Sequence, residues 1–171
     1  EPETSDDEFD EELLDIFIEE GVEILDSSEL TLQNWINNQG DKKLVEQLQR
    51  EIHTLKGGAR MAGIEPLGDL SHSLEAMVLA IVDGKVTISR KMFDIVQRSH
   101  DSLVGMLDQV KARQPVDSKQ DLVEILDALT RGKDIDELGL TEVQPEDVVA
   151  PEVVEVAEEQ PEEVVETEVA E

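Results

Sequence analysis

At 171 residues, with 43 acidic against 14 basic side chains and a formal net charge of −29, the chain is repelled by nucleic acid and by anionic membrane surfaces, so neither is expected as a partner. It has no cysteine, which removes disulfides, thiolate nucleophiles and thiolate metal ligands. No run approaches the ~18 apolar residues of a spanning helix, and the N-terminus is acidic where a secretory signal would be basic and then apolar, so a cytoplasmic location is expected. Because the chain starts at Glu1 without methionine and closes inside a biased segment, a piece of a longer protein is also expected.

Five helical patterns follow in chain order, and none of the chain sustains the period-2 alternation of strands. The first carries Phe9, Leu13, Phe17, Ile24, Leu32 and Trp35 at the three-or-four spacing of one buried face, and should end near Gly40. The second runs from about Asp41 to Gly63 with Leu44, Leu48, Ile52, Leu55, Ala59 and Ala62 inward. Pro66 suits the first turn of the third, whose inner stripe is Leu67, Leu70, Leu74, Met77 or Val78, and Ile81, closed by Asp83-Gly84. Ser89 is the expected N-cap of the fourth, which carries Phe93, Val96, Leu103, Leu107 and Val110 and stops before Pro115. A shorter fifth starts after Asp117 or Ser118, buries Leu122, Ile125, Leu126 and Leu129, and ends at Gly132.

Short connections between the first four helices predict an all-α fold: an antiparallel up-down four-helix bundle with the fifth helix packed alongside. The folded unit is expected over residues 8–132. Residues 133–171 should form a disordered acidic linker rich in Val, Glu and Pro. Residues 134–171 hold fifteen acidic residues and no lysine or arginine, and they lack the long aliphatic and aromatic side chains needed to offset an ordering cost of about 1–2 kcal/mol per residue.

The run His53-Thr54-Leu55-Lys56-Gly57-Gly58 carries the chemistry. At about 3.6 residues per turn, Lys56 and Gly57 both lie beside the His53 ring. Glycine in a helix interior costs roughly 1 kcal/mol relative to alanine, so two in succession point to a need for space. His53 follows the core residue Ile52 and is turned about 100° from it, toward the edge of the buried face or solvent. Gln49, Arg50 and Arg60 share its strip, making a basic patch on an acidic chain. Such a patch favours a phosphoryl group or an acidic partner surface, although lysine and arginine on a solvated helix face are commonplace.

These residues resemble the histidine phosphotransfer domain, in particular the one at the N-terminus of CheA-type chemotaxis kinases. The resemblance is carried by His53-Thr54-Leu55-Lys56-Gly57, by Ala59, Met61 and Gly63, and by His72-Ser73-Leu74-Glu75 on the next helix, and it spans the five-helix region. It implies that His53 is the phosphoacceptor, loaded by a histidine kinase catalytic domain and unloaded by an aspartate of a response-regulator receiver domain. The chain would then be a phosphorelay carrier and not an enzyme by itself. A histidine nucleophile must present one bare ring nitrogen, and a carboxylate on the other fixes the tautomer. The resemblance makes Glu75 that carboxylate, Lys56 a point charge for the phosphoryl oxygens, and Gly57 the gap through which a partner approaches. It also allows His72 a place in the network. Gln49, Arg50 and Arg60 would belong to the partner surface.

No cofactor or metal site is expected, since the metal of transfer comes from the kinase or receiver. A monomer is expected too. Gly58 departs from the family pattern, where serine or alanine is commoner, and should leave the helix looser without blocking access. His100 falls on the line of Phe93, Val96, Leu103 and Leu107, so a packed, hydrogen-bonded ring without function is expected. The linker's composition suggests a large chemosensory hybrid kinase as parent, of the kind that controls type IV pili. The competing possibilities are a module that only docks a receiver or kinase and is poorly phosphorylated, and a metal-binding bundle. The latter would want inward Glu-x-x-His pairs on several helices, whereas His72 and Glu75 stand in reverse order and lack a second pair.

Overall fold

In a computed structural model, the described residues are 4–138, with side chains described from residue 10 onward. They form five α-helices and one short 3-10 turn, with no strand among them: α1 Thr4–Asn37, α2 Lys42–Met61, α3 Glu65–Val82, α4 Arg90–Lys111, α5 Gln120–Thr130, then Ile135–Leu138. Helix α1 packs on α2 and α4, and α3 packs on α2 and α4, which closes the antiparallel four-helix ring. Helix α5 lies mainly against α3.

The helix ends follow local chemistry. Asp41 caps α2 by accepting from the Lys43 amide at 2.9 Å, and Ser89 caps α4 by accepting from the Met92 amide at 3.2 Å. Pro66 sits in the first turn of α3, where its missing N–H has no helical partner to lose. Gly63, Gly84 and Gly132 leave α2, α3 and α5 with φ of +73°, +71° and +84°, a region costly for other residues. Helix α5 starts at Gln120, shortly after the expected Asp117 or Ser118, and neither of those residues caps it. Asp117 is instead tied to Gln109 of α4: its amide donates to Gln109 Oε1 at 3.1 Å and its carboxylate accepts from Gln109 Nε2 at 2.8 Å. Its side chain is thereby held in the loop, and Lys119 takes the N-cap position without a side-chain cap.

The core is aliphatic and continuous. Phe17, Leu25, Leu32 and Trp35 of α1 meet Leu48, Ile52 and Leu55 of α2, Leu67, Leu70, Leu74, Met77 and Val78 of α3, and Val96, Leu103 and Leu107 of α4. Both Met77 and Val78 are buried, while Leu44, Ala62, Ile24 and Ile125 lie at its margin. Trp35 and Phe93 meet edge to face, with centroids 4.7 Å apart and planes at 69°. The expected place of Phe9 in this stripe concerns a side chain outside the described residues. Packed structure continues past residue 132: the turn Ile135–Leu138 buries Ile135 in the core and rests Leu138 on its edge. The expected linker from residue 139 onward lies outside the described residues.

Candidate functional site

Helix α2 has a strong apolar stripe, Val45, Leu48, Ile52, Leu55 and Ala59, that locks its rotation against α1 and α3. Its rotation turns His53 outward with a side chain 63% exposed, while Glu75, in the middle of α3, comes from a largely buried position. The two side chains meet at 2.7 Å, His53 Nδ1 to Glu75 Oε1.

Glu75 is the hub. Its Oε1 also accepts from Gln49 Nε2 at 3.1 Å, and its Oε2 accepts from Lys56 Nζ at 2.5 Å. Burial pushes the Glu75 carboxyl up, but the Lys56 and His53 hydrogen bonds outweigh it and hold the group below its ordinary value of 4.5. An ionised carboxylate only accepts, so Nδ1 of His53 is the donor and carries the proton. In the neutral ring Nε2 is then the bare nitrogen. Among the described residues it has no hydrogen-bond partner, and it belongs to a mostly exposed ring.

Four of the predicted site residues are thus brought together: His53, Glu75, Lys56 and Gln49. Gln49, expected on the partner surface, is half-buried and donates a hydrogen bond to Glu75. Its place one turn before His53 on the same face was the available signal. His72 is exposed and, among the described residues, makes no hydrogen bond or ion pair with His53 or Glu75. Arg50 is exposed, and Arg60 lays its stem over Gly68 of α3, where an added Cβ would stand 3.2 Å from Arg60 Cγ.

The two glycines do different work. A Cβ added at Gly57 meets nothing within 4 Å, so the surface one turn from His53 is open. A Cβ at Gly58 would stand 2.9 Å from Cδ2 of the buried Phe17 ring. Gly58, whose departure from the family pattern suggests only a looser helix, admits close packing of α1.

The Hpt domain family model matches residues 12–113, well over half of the chain and all of the site. The chain belongs to the Hpt domain family. Among curated relatives of this Hpt domain are chemotaxis proteins CheA of Borreliella burgdorferi, 32% identical over 97 residues, and of Bacillus subtilis, 31% identical over 112 residues. Those matches take in 57% and 66% of this chain but only 11% and 16% of the relatives' length. The gliding motility regulatory protein of Myxococcus xanthus is 40% identical over 58 residues, which is 34% of this chain and 7% of that protein. The solution structure of the histidine phosphotransfer domain of CheA aligns with a TM-score of 0.62 at 25% identity, covering 71% of this chain and 90% of that one. The phosphorylated P1 domain of CheA3, solved in complex with CheY6 from R. sphaeroides, aligns with a TM-score of 0.63 at 23% identity, covering 70% and 96%, and shares the fold.

Proposed function

We propose that this Hpt domain is a phosphorelay carrier in which Nε2 of His53 is the phosphoacceptor. The observation that carries this reading is the 2.7 Å bond from Nδ1 of the exposed His53 ring to a carboxylate that Lys56 helps hold ionised and that also accepts from Gln49. In the loading step the Nε2 lone pair attacks the γ-phosphorus of ATP bound to a histidine kinase catalytic domain. The bond from phosphorus to the bridging oxygen breaks and ADP leaves. The ring becomes an N-phosphorylated cation, and Glu75, accepting from Nδ1–H, stabilises the positive charge. In the unloading step a carboxylate oxygen of a receiver-domain aspartate attacks phosphorus, the P–N bond breaks, and His53 returns to its neutral tautomer.

Lys56 has two parts in this scheme. It keeps Glu75 ionised in the resting domain, and its charge is available to phosphoryl oxygens at the ring. Gly57 leaves the approach to the ring open. Arg50 and Arg60 offer cations to the acidic rim of a partner. The chemistry is carried jointly, because the nucleotide and the metal that balances phosphoryl charge arrive with the kinase and the receiver. The relatives' names favour a CheA-type chemosensory kinase as parent, acting in the cytoplasm, with this unit a monomer.

Incubation with a partner kinase and γ-labelled ATP should place acid-labile, alkali-stable label on the wild-type chain and none on His53→Gln. Label retained by that variant would overturn the assignment.

A further inference from the structure

On the opposite side of the bundle, between α1 and α4, a second histidine lies in a setting the phosphotransfer site does not use. His100 is buried, its side chain only 2% exposed. Its Nε2 lies 2.7 Å from Ser28 Oγ, and the Ser28 hydroxyl donates to the Leu25 carbonyl at 3.1 Å. With its hydrogen on Leu25, Ser28 accepts from the ring, an arrangement in which Nε2 carries the proton and Nδ1 is the bare nitrogen.

That bare nitrogen faces a carboxylate. Nδ1 stands 3.1 Å from Glu29 Oε2, yet no hydrogen bond aligned with the ring satisfies it, so only one ring nitrogen meets the expectation of a fully hydrogen-bonded, packed ring. The ring nitrogen and the Glu29 oxygen lie side by side, and Asp101 adds a second oxygen. Ligand atoms of Glu29, His100 and Asp101 all lie within 4.8 Å of one another.

We propose that Glu29, His100 and Asp101 form a binding site for a divalent transition-metal ion of the zinc class. Three observations support it. Ligands on a tetrahedral zinc, at about 2.0–2.2 Å from the metal, stand roughly 3.3 Å apart, and Nδ1 and Glu29 Oε2 are already 3.1 Å apart. The His100–Ser28–Leu25 relay is the outer support that a ligating histidine needs to fix its tautomer and ring angle. One imidazole and two carboxylates suit zinc better than the all-oxygen shells of calcium or magnesium. Asp101 is exposed, so solvent can fill the fourth position. The Gln97 amide nitrogen now spans the two carboxylates, 3.2 Å from Glu29 Oε2 and 3.0 Å from Asp101 Oδ1, and gives way to the ion. The site runs against the expectation of no metal, because its ligands come from helices far apart in sequence and show no Glu-x-x-His spacing.

The test is a Zn²⁺ titration of the full 15N-labelled chain, following the ring nitrogens of all three histidines. One equivalent should move His100 Nδ1 to saturation. Glu29→Gln and Asp101→Asn, both at accessible positions that leave the core intact, should each weaken that response about tenfold or more. His53→Gln should leave it unchanged, which separates this site from the phosphotransfer site. A His100 Nδ1 signal that does not move at several equivalents, or that titrates alike in wild type and both carboxylate variants, would overturn the proposal.

Discussion

His53 and Glu75 are 22 positions apart in the chain and 2.7 Å apart across the α2–α3 interface, and the carboxylate fixes which ring nitrogen carries the hydrogen. Because the supporting carboxylate fixes tautomer and ring angle without touching phosphorus, Glu75→Gln should fold normally and be phosphorylated about 10–100-fold more slowly. Stopped-flow or rapid-quench loading rates, beside circular dichroism, check this; a wild-type rate would remove Glu75 from the scheme. The same group shapes acid stability. Its carboxyl is held below its ordinary value of 4.5 by the Lys56 and His53 contacts that outweigh burial. Its contribution to stability is therefore full above pH 4.5 and is lost as the pH falls below that value, where the unfolded chain takes up the proton first. Urea melts of wild type and Glu75→Gln should differ most above pH 4.5 and converge below it.

Within α2, adjacent glycines make opposite demands. Alanine at either position gains about 0.8–1.0 kcal/mol of helix propensity, but at Gly58 the new methyl meets the buried Phe17 ring at 2.9 Å. Overpacking of that kind costs about 1–3 kcal/mol. Gly57→Ala should thus raise stability while slowing phosphotransfer, and Gly58→Ala should be the less stable of the two by about that overpacking cost. Denaturant midpoints and transfer rates of the pair, measured together, separate access from packing. Equal stabilities would mean that Phe17 moves aside freely.

These elements also show what was legible beforehand. The stripes of α2, α3 and α4 and the Ser89 cap follow from periodicity and N-cap chemistry, and the His53–Glu75 pairing from the family resemblance that the two motifs carry. Three features were not legible: the reason for Gly58, the commitment of Asp117 to Gln109, and the unmet nitrogen of His100. Each depends on a residue from another helix or from a distant stretch of chain, and a one-dimensional pattern does not register such meetings.

For the molecule as a whole, core packing among the described residues extends past Gly132 to Ile135. Fully burying an isoleucine contributes about 1.5–3 kcal/mol, and Ile135 is 9% exposed within the core. Truncation after Lys133 should lower stability by about 1–3 kcal/mol relative to truncation after Leu138, read from thermal or urea midpoints. Equal midpoints would show that the terminal turn adds nothing. The composition Ile-Asp-Glu-Leu disguised this turn, because its acidic pair matches the segment that follows.

The account rests most heavily on which nitrogen of His53 is bare. Phosphorylation of the 15N-labelled chain by a partner kinase, followed by long-range proton–nitrogen and phosphorus–nitrogen correlation, reads this directly. The resting ring should be protonated at Nδ1 and the phosphoryl group should be bonded to Nε2 of His53. A phosphoryl group on Nδ1, or on any other residue, would contradict the role given to Glu75 and with it the proposed site.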